Sequence, residues 1–142
     1  MVIDRNASTV KILAEETIAI YTIRFRVDGI MHAHVSAGGK WNPEDYKILF
    51  PAVGKMVNYK KVPLMITYDK FVFPTAESSA YWSNPETTCP YFSCEALIMD
   101  SLPLKILGNF YLQYKKPFRP TKLFSNQNDA VLWLKAFKQS NK

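Results

Sequence analysis

The sequence predicts a single small α/β domain: a mixed sheet of about five strands with about four helices. Three observations carry this. Apolar runs suited to strands alternate with stretches of helical periodicity from residue 42 onward. Ahead of them, an alternating apolar and basic segment runs into Asp28-Gly29, the signature of an antiparallel hairpin. The length, 142 residues, is that of one domain with one core.

In chain order, residues 1–16 read as a lead-in, partly ordered by Val10, Ile12 and Leu13, and the domain as 17–142. Residues 17–35 read as the hairpin. Ile23, Phe25 and Val27 alternate with Arg24 and Arg26, and Ile30 to Val35 continues extended after the turn. Asp-Gly favours a two-residue type I′ loop, because both central positions need φ > 0. That loop would set Phe25 opposite His32 and Ile23 opposite His34. It would also put Ile23 and Phe25 on one face and Met31, Ala33 and Val35 on the other. That conflict implies either that both faces are partly covered or that the loop contains a bulge.

Asn42-Pro43-Glu44-Asp45 opens the first helix with a cap, a proline at the first position and acids in the first turn. Tyr46, Leu49, Phe50, Val53, Met56 and Val57 supply its periodicity, and Pro51 is expected to kink it or end it early. Val62 to Tyr68 is an apolar run of central-strand type. Thr75 caps a second helix that ends by Asn84-Pro85. Cys94 to Met99 is a further strand, and Leu102 to Tyr114 a third helix, with Gly108 marking a close helix–sheet approach or a local break. Thr121 to Phe124 is a short last strand. Asn126 to Asp129 resembles a capping box for a final helix with Ala130, Trp133, Leu134 and Phe137 on its apolar face. Strands alternating with helices imply parallel pairing and right-handed crossovers behind an antiparallel edge.

Composition narrows the function classes. Apolar residues at 48% and charged residues at 21% exclude a disordered chain. The net charge of +6 is dispersed over pairs such as Arg24/Arg26, Lys60/Lys61 and Lys115/Lys116, with Lys135, Lys138 and Lys142 near the end. No basic run exceeds two residues, so a solvated basic surface is expected and no nucleic-acid partner. Cys89 and Cys94 are half of a structural zinc site and are read as free thiols. The N-terminus lacks a signal-peptide pattern, and no apolar run reaches the ~18–20 residues of a membrane span, so a cytoplasmic location is expected.

The C-terminal third carries a family resemblance. Ala96-Leu97-Ile98-Met99-Asp100-Ser101, Leu107-Gly108-Asn109-Phe110-Tyr111, Pro120-Thr121-Lys122-Leu123-Phe124 and Ala130-Val131-Leu132-Trp133-Leu134 compose it. Asp28-Gly29-Ile30-Met31-His32 and Pro63-Leu64-Met65-Ile66-Thr67 add to it. Together they resemble the SpoIIAA-like fold of STAS domains, and most closely a Bacteroidetes-type family of bacterial STAS-like proteins, over roughly 17–138. The resemblance implies a non-enzymatic domain that acts by binding partners, as anti-sigma-factor antagonists do. In those proteins a serine within Asp-Ser-Ser-Gly is phosphorylated. Here Phe73 to Glu77 falls across that motif, the acceptor position is Ala76 and the motif's aspartate is Pro74. Thr75, Ser78 and Ser79 are the neighbouring hydroxyls, the candidates for a phospho-acceptor or partner-contact loop.

Other constellations are thin. His32 and His34 share a strand face, but two ligands do not make a metal site, and cross-strand packing is the expected role. No nucleophile elbow, Walker motif or dinucleotide fingerprint is present, so no catalytic, cofactor or metal residues are assigned. Two functions are expected. The first is an interaction module for a protein partner, a second copy of the chain being one candidate, with an exposed apolar patch or groove and no polar-lined deep pocket. The second, suggested by a likeness to lipid-transfer domains of the CRAL-TRIO type, is an apolar-ligand binder. It requires a cavity of several hundred Å3, lined by residues such as Tyr46, Phe50, Phe110 and Trp133.

Overall fold

The computed structural model describes residues 10–72, 74–114 and 117–140. The first nine residues of the expected lead-in, together with Phe73, Lys115, Lys116 and Lys142, lie outside the described residues. The order is β1 (Ile12–Ile18), β2 (Tyr21–Arg26), β3 (Met31–Val35), α1 (Tyr46–Met56), β4 (Val62–Tyr68), α2 (Ala76–Ser83), β5 (Phe92–Ile98), α3 (Leu102–Tyr114), β6 (Thr121–Phe124) and α4 (Gln127–Ser140). All six strands form one sheet in the order β1-β2-β3-β4-β5-β6. β1 with β2 and β2 with β3 pair antiparallel, and β3 to β6 run parallel.

The sheet thus has six strands rather than about five, and the extra one begins inside the expected lead-in and ends two residues beyond it. β1 is an edge strand that buries little: Leu13, Glu15, Glu16 and Thr17 are exposed. An edge strand with one weakly apolar face leaves a faint period-2 pattern, which is why the sequence does not announce it. Ala19 turns it into β2 with φ 54°.

The Asp28-Gly29 loop has three residues, not two. Arg26 N donates to Ile30 O at 3.0 Å and Gly29 N to Arg26 O at 3.0 Å, and Gly29 sits at φ 85°. This is a type I turn closed by a glycine bulge. The added residue shifts the expected pairing by one: Phe25 faces Met31, Ile23 faces Ala33, and Arg24 and Thr22 face His32 and His34. Ile23, Phe25, Met31, Ala33 and Val35 then share a face and pack into one core. The conflict that a two-residue turn creates disappears.

Three crossovers of one hand that all step the same way along a sheet must lie on the same face. α1, α2 and α3 do: Tyr46, Leu49 and Val53 of α1, Tyr81 and Trp82 of α2 and Leu104 of α3 pack with Tyr21, Ile23, Leu64, Ile66 and Leu97. α4 alone takes the other face. Its fully buried Ala130 and Leu134 meet Ile30, Met65, Cys94, Ala96 and Ile98.

Local chemistry explains the boundaries. Asn42 caps a 3-10 turn at Pro43–Asp45, its side chain accepting from Glu44 N at 3.0 Å, and α1 follows directly. Pro51 does not end α1, which continues to Met56, although it sits in the middle of the helix, on its exposed side. Pro63 sits in a central strand only because the register slips between Val62 and Pro63. α3 runs unbroken through Gly108, where a Cβ would lie 2.9 Å from Leu123 Cδ1: the glycine marks a close helix–sheet approach, not a break. Asp129 N donates to Asn126 Oδ1 at 3.0 Å, capping α4. Phe92–Ile98 places β5 slightly earlier than the expected Cys94–Met99. No described helix is long and apolar enough to cross a membrane.

Candidate functional site

The helical layer over the first sheet face is not full. α2 has eight residues, Ala-Glu-Ser-Ser-Ala-Tyr-Trp-Ser, and none of them is buried. Its first five are small or polar, so only Tyr81 and Trp82 bring volume to the layer. The chain between β4 and α2 is no better at filling space: Phe71, at φ 63°, is 87% exposed. A cavity of ≈ 780 Å³ remains between the sheet and α1, α2 and α3. That size lies within the ~300–1,000 Å3 of small-molecule sites.

The inner wall is apolar, made by Ile23, Leu64, Ile66, Leu97 and Met99 of the sheet region with Val53 of α1. Exposed residues form the mouth: Gly38 to Lys40, Phe71, Ala76, Glu77 and Phe110. An aromatic cluster makes one side. Tyr46 stacks on Phe50 with centroids 4.4 Å apart, and Trp41, Tyr81 and Trp82 surround the pair at 6.2, 5.4 and 6.2 Å from Tyr46. Trp41 Nε1 donates to Tyr46 Oη at 3.1 Å and Tyr21 Oη to the same oxygen at 3.4 Å. Burial pushes both phenols, Tyr21 and Tyr46, above their ordinary range.

One end of the cavity is polar. Glu95, 1% exposed, points from β5 into this layer. Trp82 Nε1 donates to its Oε2 at 2.7 Å, Arg119 Nη1 to the same oxygen at 3.4 Å, and Thr121 Oγ1 lies 2.9 Å from Oε1. Arg119 is buried behind it, with Cζ 5.1 Å from the Trp82 ring and 5.3 Å from Phe118. Burial raises the Glu95 carboxyl, and Arg119, Trp82 and Thr121 pull against it. Tyr68 and Tyr111 line the same space. Burial raises both phenols, and the Glu95 charge raises them further. Tyr111 Oη is buried with no hydrogen-bond partner among the described residues. An orphan of this kind costs about 1–3 kcal/mol unless something fills its place.

The residues singled out in the sequence divide. Thr75, Ser78 and Ser79 all reach the cavity wall at its mouth. The Thr75 and Ser78 hydroxyls also cap α2 reciprocally: Ser78 N donates to Thr75 Oγ1 and Thr75 N to Ser78 Oγ, each at 3.0 Å. Tyr46, Phe50 and Phe110 line the cavity as an apolar-ligand site requires. Trp133 does not; it packs on Phe124 and Phe137 beneath α4, on the other face. Cys89 and Cys94 are free and buried, with burial pushing both thiols up to about 11.

His32 and His34 sit on the face opposite the cavity and meet at Thr67. Asp69 can only accept, so His34 Nε2 carries the proton it donates at 2.7 Å. His34 Nδ1 lies 2.7 Å and His32 Nε2 2.8 Å from Thr67 Oγ1, so the hydroxyl bridges the two rings. Burial, then Arg24, Arg26 and His34, holds His32 down at about 4. Among the described residues no three His, Cys, Asp or Glu side chains are grouped to hold a metal.

Glu95, Arg119, Trp82 and Tyr111 belong to the candidate site and are not singled out by the sequence. One signal was available: Glu95 is the single charge in the apolar run from Cys94 to Met99. A lone carboxylate in a central strand needs a buried partner.

Fold and site together define an α/β domain with a ligand-sized, largely apolar cavity, open at a mouth, on one side of a mixed sheet. The chain belongs to the family of the domain of unknown function DUF7793, whose model matches residues 23–138. No curated protein and no solved structure matches it.

Proposed function

We propose that this protein binds an apolar small molecule in the cavity between its sheet and helices α1 to α3, as a carrier or sensor without a catalytic step. The observation that carries this is the ≈ 780 Å³ cavity, apolar on its inner wall and polar at one end. A protein acting only through its surface has no reason to keep such a space. Leaving it empty forfeits dispersion contacts on every wall. Glu95 is held by Trp82, Arg119 and Thr121, an arrangement suited to fixing a ligand's orientation.

The test is saturable binding of a neutral fluorophore, N-phenylnaphthylamine, to the full chain. One-to-one binding in wild type and its loss in Ser79→Trp, which fills the space under α2, is the expected result. No saturable binding to folded wild-type protein refutes the reading.

A second reading, the STAS-like interaction module, is favoured by the outer stripe of α3. Leu102, Ile106 and Phe110 are 70%, 60% and 58% exposed on one line of that helix. The support for STAS kinship is the strand–helix alternation from β3 onward. In this reading Ala76 removes the phospho-switch, and partner binding, to a second copy or a different protein, runs through α3. Light scattering of the purified chain, wild type against Ile106→Glu, distinguishes self-association from a monomer.

A further inference from the structure

The polar end of the cavity has a specific balance of charge and hydrogen bonds. Its carboxylate, Glu95, is offset by Arg119. That guanidinium faces away from the cavity: Nη2 donates to Cys89 O at 2.7 Å and to Thr88 Oγ1 at 3.1 Å. Among the described residues no cationic side chain lines the inner end; their cations and acids on the cavity wall beyond Glu95 are Lys40 and Glu77, both exposed at the mouth. What the inner end offers is the Glu95 carboxylate with lone pairs to spare, the Tyr68 phenol, and the Tyr111 hydroxyl, buried and unpaired.

We propose that this end receives the uncharged hydroxyl head of an otherwise apolar molecule, a long-chain alcohol or sterol-like compound, with Tyr111 Oη as its hydrogen-bond partner. The inference rests on the cavity reading above and deepens it. A ligand hydroxyl is both donor and acceptor: it accepts from Tyr111 and donates to a free lone pair of Glu95. Tyr111 and the ligand hydroxyl are then paired, while Arg119 Nε stays without a partner among the described residues. A carboxylate head would add a negative charge beside a Glu95–Arg119 pair that is already balanced, with no further cation among the described residues to offset it. An ammonium head would face a carboxylate that Arg119 already neutralises, so its own charge would be desolvated without full compensation. A pure hydrocarbon would leave Tyr111 orphaned.

The experiment is competition against N-phenylnaphthylamine on the full chain, near neutral pH, with dodecanol, dodecanoate and dodecylammonium as equal-length competitors. Wild type should prefer dodecanol over both charged competitors by about tenfold or more, the scale of one buried hydrogen bond plus an uncompensated charge. In Tyr111→Phe the dodecanol preference should fall several-fold. The same variant, free of ligand, should melt at a higher temperature than wild type, because the unpaired hydroxyl is gone. A merely structural tyrosine would move stability the other way. Dodecanoate or dodecylammonium competing as well as dodecanol overturns the inference, as does a preference unchanged in Tyr111→Phe. Either result with the fluorophore still bound leaves the cavity reading standing. Failure of the fluorophore to bind overturns both.

Discussion

Arg119 reaches Glu95 through a single nitrogen, Nη1 to Oε2 at 3.4 Å, while Nη2 is committed to Cys89 O at 2.7 Å. Both side chains are buried, at 4% and 1% exposure. The pair ties β5 to the chain entering β6 and supports the polar end of the cavity from behind.

A buried pair of this kind is costly to break and cheap to replace whole. Arg119→Met leaves Glu95 charged and unpaired and should cost about 3–5 kcal/mol. Adding Glu95→Leu should recover most of that loss. Urea denaturation of the two single variants and the double measures the coupling. A cost below about 1 kcal/mol for Arg119→Met would mean that the pair is solvated in solution.

His32 should make stability depend on pH in a defined direction. Its folded value is about 4 against an ordinary 6.5, lowered first by burial and then by Arg24, Arg26 and His34. Between those values the unfolded chain binds a proton that the folded chain refuses. Stability therefore falls as pH drops from about 6.5 to about 4 and levels off below, by roughly 1–3 kcal/mol. Glu95, raised by burial, works the opposite way at the acid end of this window. The comparison that isolates His32 is His32→Gln, which should flatten the slope in thermal melts taken across the range. An unchanged slope assigns the dependence elsewhere.

Phe71 combines strain with exposure: φ 63° and 87% of its surface in solvent. The left-handed region costs a non-glycine residue about 1–2 kcal/mol, against roughly 0.5–1 for glycine's extra chain entropy. Phe71→Gly should leave stability equal or higher by up to about 1 kcal/mol. Because Phe71 lines the cavity mouth, the same change should weaken binding of the apolar fluorophore. A variant that melts lower and binds as well would remove Phe71 from the site.

The sequence carried the alternating β-α units clearly, because each has long apolar periodicity and a cap made by nearby residues: Asn42, Thr75 and Asn126 all cap where expected. What it did not carry depends on distant contacts. β1 borrows its order from β2 and has little pattern of its own. The hairpin register turned on one residue in a loop, which Asp-Gly alone does not decide. The cavity is a property of what α2 fails to fill, and an unfilled space has no residue code. Trp82 lies far along the chain from Trp41 and Tyr46 yet forms one wall with them, whereas Trp133, as apolar as they are, belongs to the other face because α4 follows the last strand.

Thr75 allows the hydroxyls at the α2 N-terminus to be assigned a role. Its Oγ1 accepts from Ser78 N at 3.0 Å while Ser78 Oγ accepts from Thr75 N. Loss of an N-cap costs about 1 kcal/mol, and aspartate caps as well as threonine does. Thr75→Ala should therefore lower stability by about 1 kcal/mol, and Thr75→Asp should restore it with added favourable interaction with the helix dipole. Both effects are read from chemical denaturation. α2 forms one rim of the cavity, so Thr75→Ala should also weaken fluorophore binding by loosening that rim, and Thr75→Asp should not. If Thr75→Asp were as destabilised as Thr75→Ala, the hydroxyl would be serving something other than the cap, and the phospho-acceptor role would become the better account of this loop.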